Sequence, residues 1–134
     1  MLQQDGKIMS TNILETIINS STLNSRIAQI QGHTVLVLSG EIDSHTALQF
    51  KRTVTDILNG DERDLIIDMH NVSYMDSSGL GILAYAIKRV SPKRGTVNLV
   101  GCNARIEHIL YKTQMYAFLT LCENMNDALN LIAA

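Results

Sequence analysis

The chain has 134 residues, a formal net charge of −2, 46% hydrophobic and 18% charged residues, and 4% aromatics with no tryptophan. That length builds one core and is too short for two ordinary domains, and the hydrophobic-to-charged balance is that of a folded, soluble protein. The weak negative charge and few aromatics exclude an electrostatic or base-stacking nucleic-acid surface, and no apolar run approaches the ~20 residues of a membrane span, so neither nucleic acid nor membrane is expected as a direct partner.

Residues 1–24 differ in composition from the rest, being rich in Ser, Thr and Asn around one apolar patch, Ile13, Leu14, Ile17 and Ile18. That spacing fits a short amphipathic helix capped by Ser10 or Thr11, which would cover an exposed face or mediate self-association; a frayed tail is the competing reading. The opening Met1-Leu2-Gln3-Gln4-Asp5 lacks the basic and apolar regions of a secretory signal. Cys102 and Cys122 have no metal-ligand or redox spacing, and they read as reduced, buried small hydrophobes. Both features predict a cytoplasmic location.

From Ser25 the pattern is regular. Arg26 to Gln31 and His33 to Ser39 read as strands around a tight turn at Gly32, followed by a loop from Gly40 to Ser44. Ala47, Phe50, Val54, Ile57 and Leu58 recur at helical spacing, with Asp43 or Ser44 as N-cap and Asn59-Gly60 as the stop. Leu65 to Met69 is a strand. A helix follows with Leu80, Leu83, Ala84 and Ile87 on one face, ending before Ser91-Pro92. Thr96 to Gly101 is a strand, Ala104 to Lys112 a helix, Phe118 to Cys122 a strand and Asn126 to Ile132 a closing helix. The order β-β-α-β-α-β-α-β-α predicts an α/β domain whose sheet is mostly parallel, with an antiparallel opening hairpin.

The segment Tyr74-Met75-Asp76-Ser77-Ser78-Gly79-Leu80-Gly81 sets two hydroxyls, a carboxylate and two glycines where a loop enters a helix. Gly79-x-Gly81-x-x-Ala84 formally matches a dinucleotide fingerprint. That motif needs its glycines directly after the strand and an acidic residue at the end of the next one. Here a loop is expected after Met69, and the next strand ends Val100-Gly101-Cys102-Asn103 without a carboxylate. A nucleophile elbow is half present, because Met75 takes one glycine position around Ser77. His33, His45, His70 and His108 are scattered singly, with no metal-binding pair; His70 is the one near enough in sequence to keep serine hydrolysis in view. Cys102 lacks the arginine of a phosphatase loop, since His108 stands there.

Two readings of the segment remain open on physical grounds. Asp76, Ser77 or Ser78 could act simply as an N-cap, contributing about 1 kcal/mol. The glycines fit that reading poorly, because each costs about 0.5–1 kcal/mol relative to alanine inside a helix. Close approach by the sheet or by another protein would explain them. Asp43 and Ser44 carry the same ambiguity between a cap and an interface. Lys88, Arg89, Lys93 and Arg94 read as a solvated helix end complementing the dipole.

Asp68-Met69-His70-Asn71-Val72-Ser73-Tyr74-Met75-Asp76-Ser77-Ser78-Gly79-Leu80-Gly81 closely resembles the signature of the anti-sigma-factor antagonist family of STAS domains. Ser39-Gly40-Glu41-Ile42-Asp43, with Thr46 beyond, is similar to that family's second patch. The resemblance covers about residues 25–134 and marks residues 1–24 as an extension with room for an added contact or a homodimer. It implies a mixed sheet of about five strands, with about four α-helices mainly on one face. It implies phosphorylation at Ser77, and a partner surface that includes Asp76, Ser78, Gly79, Leu80 and Gly81, extended by Asp43, Ser44 and Thr46 if the two loops adjoin. The implied protein is no enzyme and needs no cofactor or metal. It is a partner-switching antagonist that binds a serine-kinase anti-sigma factor, leaves it when phosphorylated, and is reset by a serine phosphatase. A scaffold of a stress-signalling assembly, or a lipid- or transporter-associated STAS protein, would carry the same signature.

Overall fold

The computed structural model describes residues 22–133. The patch at Ile13, Leu14, Ile17 and Ile18, with Ser10 and Thr11, lies outside the described residues. Strands β1 (Leu23–Ile30) and β2 (His33–Ile42) form an antiparallel hairpin. Its two-residue turn holds Gln31 and Gly32 at φ 52° and 80°. Positive φ at both positions gives the turn a twist that matches the strands it joins. There follow α1 (Ala47–Leu58), β3 (Leu65–Met75), α2 (Ser77–Val90), β4 (Val97–Val100), α3 (Ala104–Lys112), β5 (Thr120–Cys122) and α4 (Met125–Ala133).

The five strands lie in chain order, β1 antiparallel to β2 and all later neighbours parallel. The expected mixed sheet is therefore present. Alternation along β3 sorts the core into two layers. Leu65, Ile67 and Met69 face Phe50, Val54 and Leu58 of α1, Leu83, Ala86 and Val90 of α2, and Ile106 and Leu110 of α3. Ile66 points the other way, toward Val35, Val100 and Cys122 under Ala128 and Leu129 of α4. Three helices thus cover one face and one covers the other. A strand between two such layers is buried on both faces, and all four residues of β4 are buried, the polar Asn98 among them donating to the Leu65 carbonyl at 3.2 Å.

Several boundaries differ from the sequence-based expectation. β3 does not stop at Met69 but runs to Met75, so no loop separates strand from helix. The polar pair His70-Asn71 mimics a loop, yet the structure absorbs it in an irregular stretch of pairing. Val37 pairs with Asp68 and Ser39 with Asn71, a shift of the β-bulge type, after which Val72 and Met75 are again buried. β2 likewise continues to Ile42. The N-cap of α1 is Thr46, not Asp43 or Ser44. β5 begins at Thr120 because Met115–Phe118 form a 3₁₀ turn.

Candidate functional site

The parallel pairing of β2 with β3 ends on Ile42 opposite Met75, and the Asp76 N–H donates to the Ile42 carbonyl at 3.1 Å. The loop after β2 and the start of α2 therefore sit side by side at one end of the sheet. Asp43 is buried, and its carboxylate accepts from the N–H groups of His45 (2.8 Å) and Thr46 (3.2 Å). Thr46 is also buried; its hydroxyl accepts from the Asp43 N–H at 3.0 Å and donates to the Glu41 carbonyl at 2.8 Å. These two residues shape the loop from within. Ser44 and His45 are the side chains it offers to solvent.

At the neighbouring helix start, Asp76 is the N-cap, its carboxylate accepting from the Ser78 N–H at 2.8 Å. Its backbone carbonyl accepts from Gly79 and Leu80. With these donors satisfied from Asp76, the Ser77 side chain is free to stand outward, and it is exposed. Asp76→Ala is expected to lower stability by about 1 kcal/mol, read as a shift in the urea midpoint at unchanged slope.

The two glycines have different surroundings. Gly79 is buried, and a Cβ there would lie 2.4 Å from Met75 Cγ and 2.9 Å from Ile42 Cγ2. The helix could not come this close to the strand ends with a larger residue. Gly81 is exposed, and a Cβ there would meet nothing within 4 Å. The interior thus accounts for Gly79 and leaves Gly81 without an intramolecular reason.

A groove of about 350 Å³ opens beside Ser77. Tyr74 and Asp76 line it on the Ser77 side, and Arg105, His108 and Lys112 line it from α3. Tyr74 is 38% exposed, an aromatic ring left at the surface next to the serine. Arg105, His108 and Lys112 are exposed and make no hydrogen bond or ion pair among the described residues. Sequence reasoning weighed His108 as a scattered single histidine and did not group it with Arg105 and Lys112 beside the serine. Their i, i+3, i+7 spacing marks a single helix face, but nothing local says which strand end that face overlooks.

Other candidates are used elsewhere. His70 pairs with Asp68, Nδ1 to Oδ1 at 2.8 Å, and its ring lies against Gly101. No hydrogen bond joins it to Ser77 among the described residues, so a Ser–His–Asp relay is not assembled. Gly79 packed into the interior cannot lend its backbone to a pyrophosphate, and a strand order without reversal has no switch-point crevice. Arg89 donates to the Tyr85 hydroxyl (2.7 Å) and Asn59 (2.8 Å), and Lys93 donates to the Glu62 carbonyl (2.9 Å). Two of the four basic residues in the last turn of α2 and just beyond it therefore brace the α1 end rather than simply being solvated. Burial and the nearby Glu107 carboxylate push the Cys102 thiol up to about 12, which leaves it un-ionised and a poor nucleophile at neutral pH. Among the described residues no cluster of metal-ligating side chains occurs, and no helix is long and apolar enough to cross a membrane.

Comparison with known proteins gives a match to the STAS domain model over residues 24–128. An anti-sigma-B factor antagonist of Staphylococcus aureus is 30% identical over 69 residues, 52% of this chain and 64% of its own length. The aligned region thus spans just under two thirds of that relative. A crystal structure of an anti-sigma factor antagonist from Mycobacterium paratuberculosis superposes with a TM-score of 0.74 at 23% identity, covering 84% of this chain and 96% of that one. The phosphorylated form of the Bacillus cell fate determinant SpoIIAA gives 0.64 at 17% identity, covering 81% and 99%. Both likenesses establish the fold.

Proposed function

We propose that this chain, which belongs to the STAS domain family, is an anti-sigma-factor antagonist whose docking is switched by phosphorylation of Ser77. The observation that carries the reading is the exposed Ser77 hydroxyl at the first position of α2, within a family whose members include a named antagonist and a protein known in a phosphorylated form. The unmodified chain docks on a serine-kinase anti-sigma factor through Ser77, Gly81 and Tyr74, with Ser44 from the adjoining loop. Asp76, Ser78 and Gly79 hold the helix start in place, Leu80 packs half-buried beneath the surface, and Asp43 and Thr46 set the shape of the second loop.

In the switching step the bound kinase removes the Ser77 proton. The seryl oxygen attacks the terminal phosphorus of the nucleoside triphosphate, an O–P bond forms, the bridging P–O bond breaks, and the diphosphate leaves. The chain is substrate and ligand in this reaction and supplies no catalytic group. A serine phosphatase restores the hydroxyl by transferring the phosphoryl group to water. The reading places the protein in the cytoplasm, free of cofactor, with an extension ahead of the domain that ends short of the expected residue 24, because Leu23 opens β1 and is buried in the core.

The test is intact-mass analysis after incubation with the cognate anti-sigma kinase and ATP. One phosphoryl group is expected, mapping to Ser77 and lost in Ser77→Ala. Modification that persists in that variant, at Ser78 for example, overturns the choice of hydroxyl. No modification by any anti-sigma kinase of the host overturns the reading itself.

A further inference from the structure

We infer that the groove between the Ser77 region and α3 is a receptor for the chain's own phosphoserine, with Arg105, Lys112 and His108 closing on the phosphate in cis. The inference rests on Ser77 being the modified hydroxyl. Three observations support it. Ser77 lines the groove that Arg105, His108 and Lys112 line from the opposite side. All three side chains are exposed and without a hydrogen-bond or ion-pair partner among the described residues, so nothing there competes for them. The arrangement is also one-sided, because Asp76, the carboxylate on the groove among the described residues, already accepts from the Ser78 N–H.

A phosphoseryl group brings a charge of about −1.5 to −2 and three acceptor oxygens to this spot. A guanidinium, an ammonium and an imidazole N–H offer complementary donors, and charge-assisted hydrogen bonds to phosphate are short and strong. Asp76 acts in the opposite direction by like-charge repulsion, and the Tyr74 hydroxyl is the remaining polar group on the rim. With two cations against one engaged carboxylate, the balance favours retention. Phosphorylation then does more than add a repulsive group. It draws the α3 cations over the docking surface, so the modified face differs in shape as well as charge while the fold beneath is unchanged.

The test uses the full chain with phosphoserine installed at position 77 during translation, so that no kinase is needed. Phosphorus NMR follows its second ionisation, which lies near pH ~6 in an unconstrained phosphoserine. Flanking cations favour the dianion, and a depression of at least about half a unit relative to a phosphopeptide of the same sequence is expected. The double variant Arg105→Gln/Lys112→Gln should lose most of that depression. Both positions are exposed, and a thermal melt verifies that the variant folds. If the wild-type phosphoserine titrates with the peptide, or the double variant with the wild type, the receptor is disproved. The competing occupant is an acidic segment of the partner: the unphosphorylated double variant would then lose partner affinity, while the double variant carrying phosphoserine titrated as the wild-type phosphoprotein does, which also overturns the inference. A depressed ionisation in a phosphoprotein that still binds its partner would instead remove the switch and leave the receptor standing.

Discussion

Phosphorylation of Ser77 is expected to weaken docking on the anti-sigma factor more than about a hundredfold, the equivalent of about 3 kcal/mol, while thermal stability stays nearly constant. Ser77→Asp should move affinity in the same direction by at least about tenfold, since it brings one charge where phosphate brings about −1.5 to −2. Ser77→Ala should bind like the unmodified protein. The asymmetry follows from where the side chain stands. Ser77 is exposed, so within the folded chain the new charge meets solvent and the cations of α3, which offset the like charge of Asp76. Against a partner packed on the same surface, the hydrated dianion must be either stripped of water or given space, and both oppose binding. Titration calorimetry with the purified partner measures the first quantity and urea unfolding the second. Equal affinities for Ser77→Ala and Ser77→Asp would end the switch model. A stability change of more than about 0.5 kcal/mol in either variant would mean that the serine is part of the scaffold and not merely displayed on it.

The glycine pair gives the second large effect, read as a contrast. Gly79→Val is expected to lower stability by about 3 kcal/mol or more, the upper range of overpacking penalties. The first methyl alone would enter the space of Met75 Cγ and Ile42 Cγ2, and Ile42 is fully buried at 0% exposure with no room to retreat. Gly81→Ala should leave the fold as stable or gain about 0.5–1 kcal/mol from helix propensity. Its effect should fall on docking, as a measurable loss of partner affinity in a protein that is at least as stable. The opposite outcome, a destabilised Gly81→Ala with unchanged affinity, would show that the open space above this residue is not used by a partner.

Much of the architecture was legible in the chain because periodicity is local. Continuous apolar runs along Val35 to Leu38 and Leu65 to Ile67 mark buried strands, and helical spacing through Phe50, Val54, Ile57 and Leu58 marks a helix face, whatever lies beyond. The element order then limits the topology to a parallel sheet behind a hairpin. The signature from Asp68 to Gly81 was equally readable, and it lies within the STAS domain match over residues 24–128. Where local signals conflicted, the reading went astray. His70 and Asn71 carry loop chemistry, but β2 supplies pairing partners on the far side of the register shift, so the strand continues to Met75. Asp43 has cap chemistry and does satisfy backbone donors, yet it does so from a buried turn three residues ahead of the true cap, Thr46.

The sequence alone determined the α/β order and the serine at a helix start, since each depends on residues a few positions apart. The tertiary structure decided three things that spacing could not reveal. It paired Ile42 with Met75 and so joined the two loops at one end of the sheet. It divided the glycines, pressing Gly79 against the strand ends and leaving Gly81 open. It also carried Arg105, His108 and Lys112 to the rim of the groove beside Ser77. Each of these depends on strand order and on how the helices lie across the sheet, and such distances are set by packing the whole core at once.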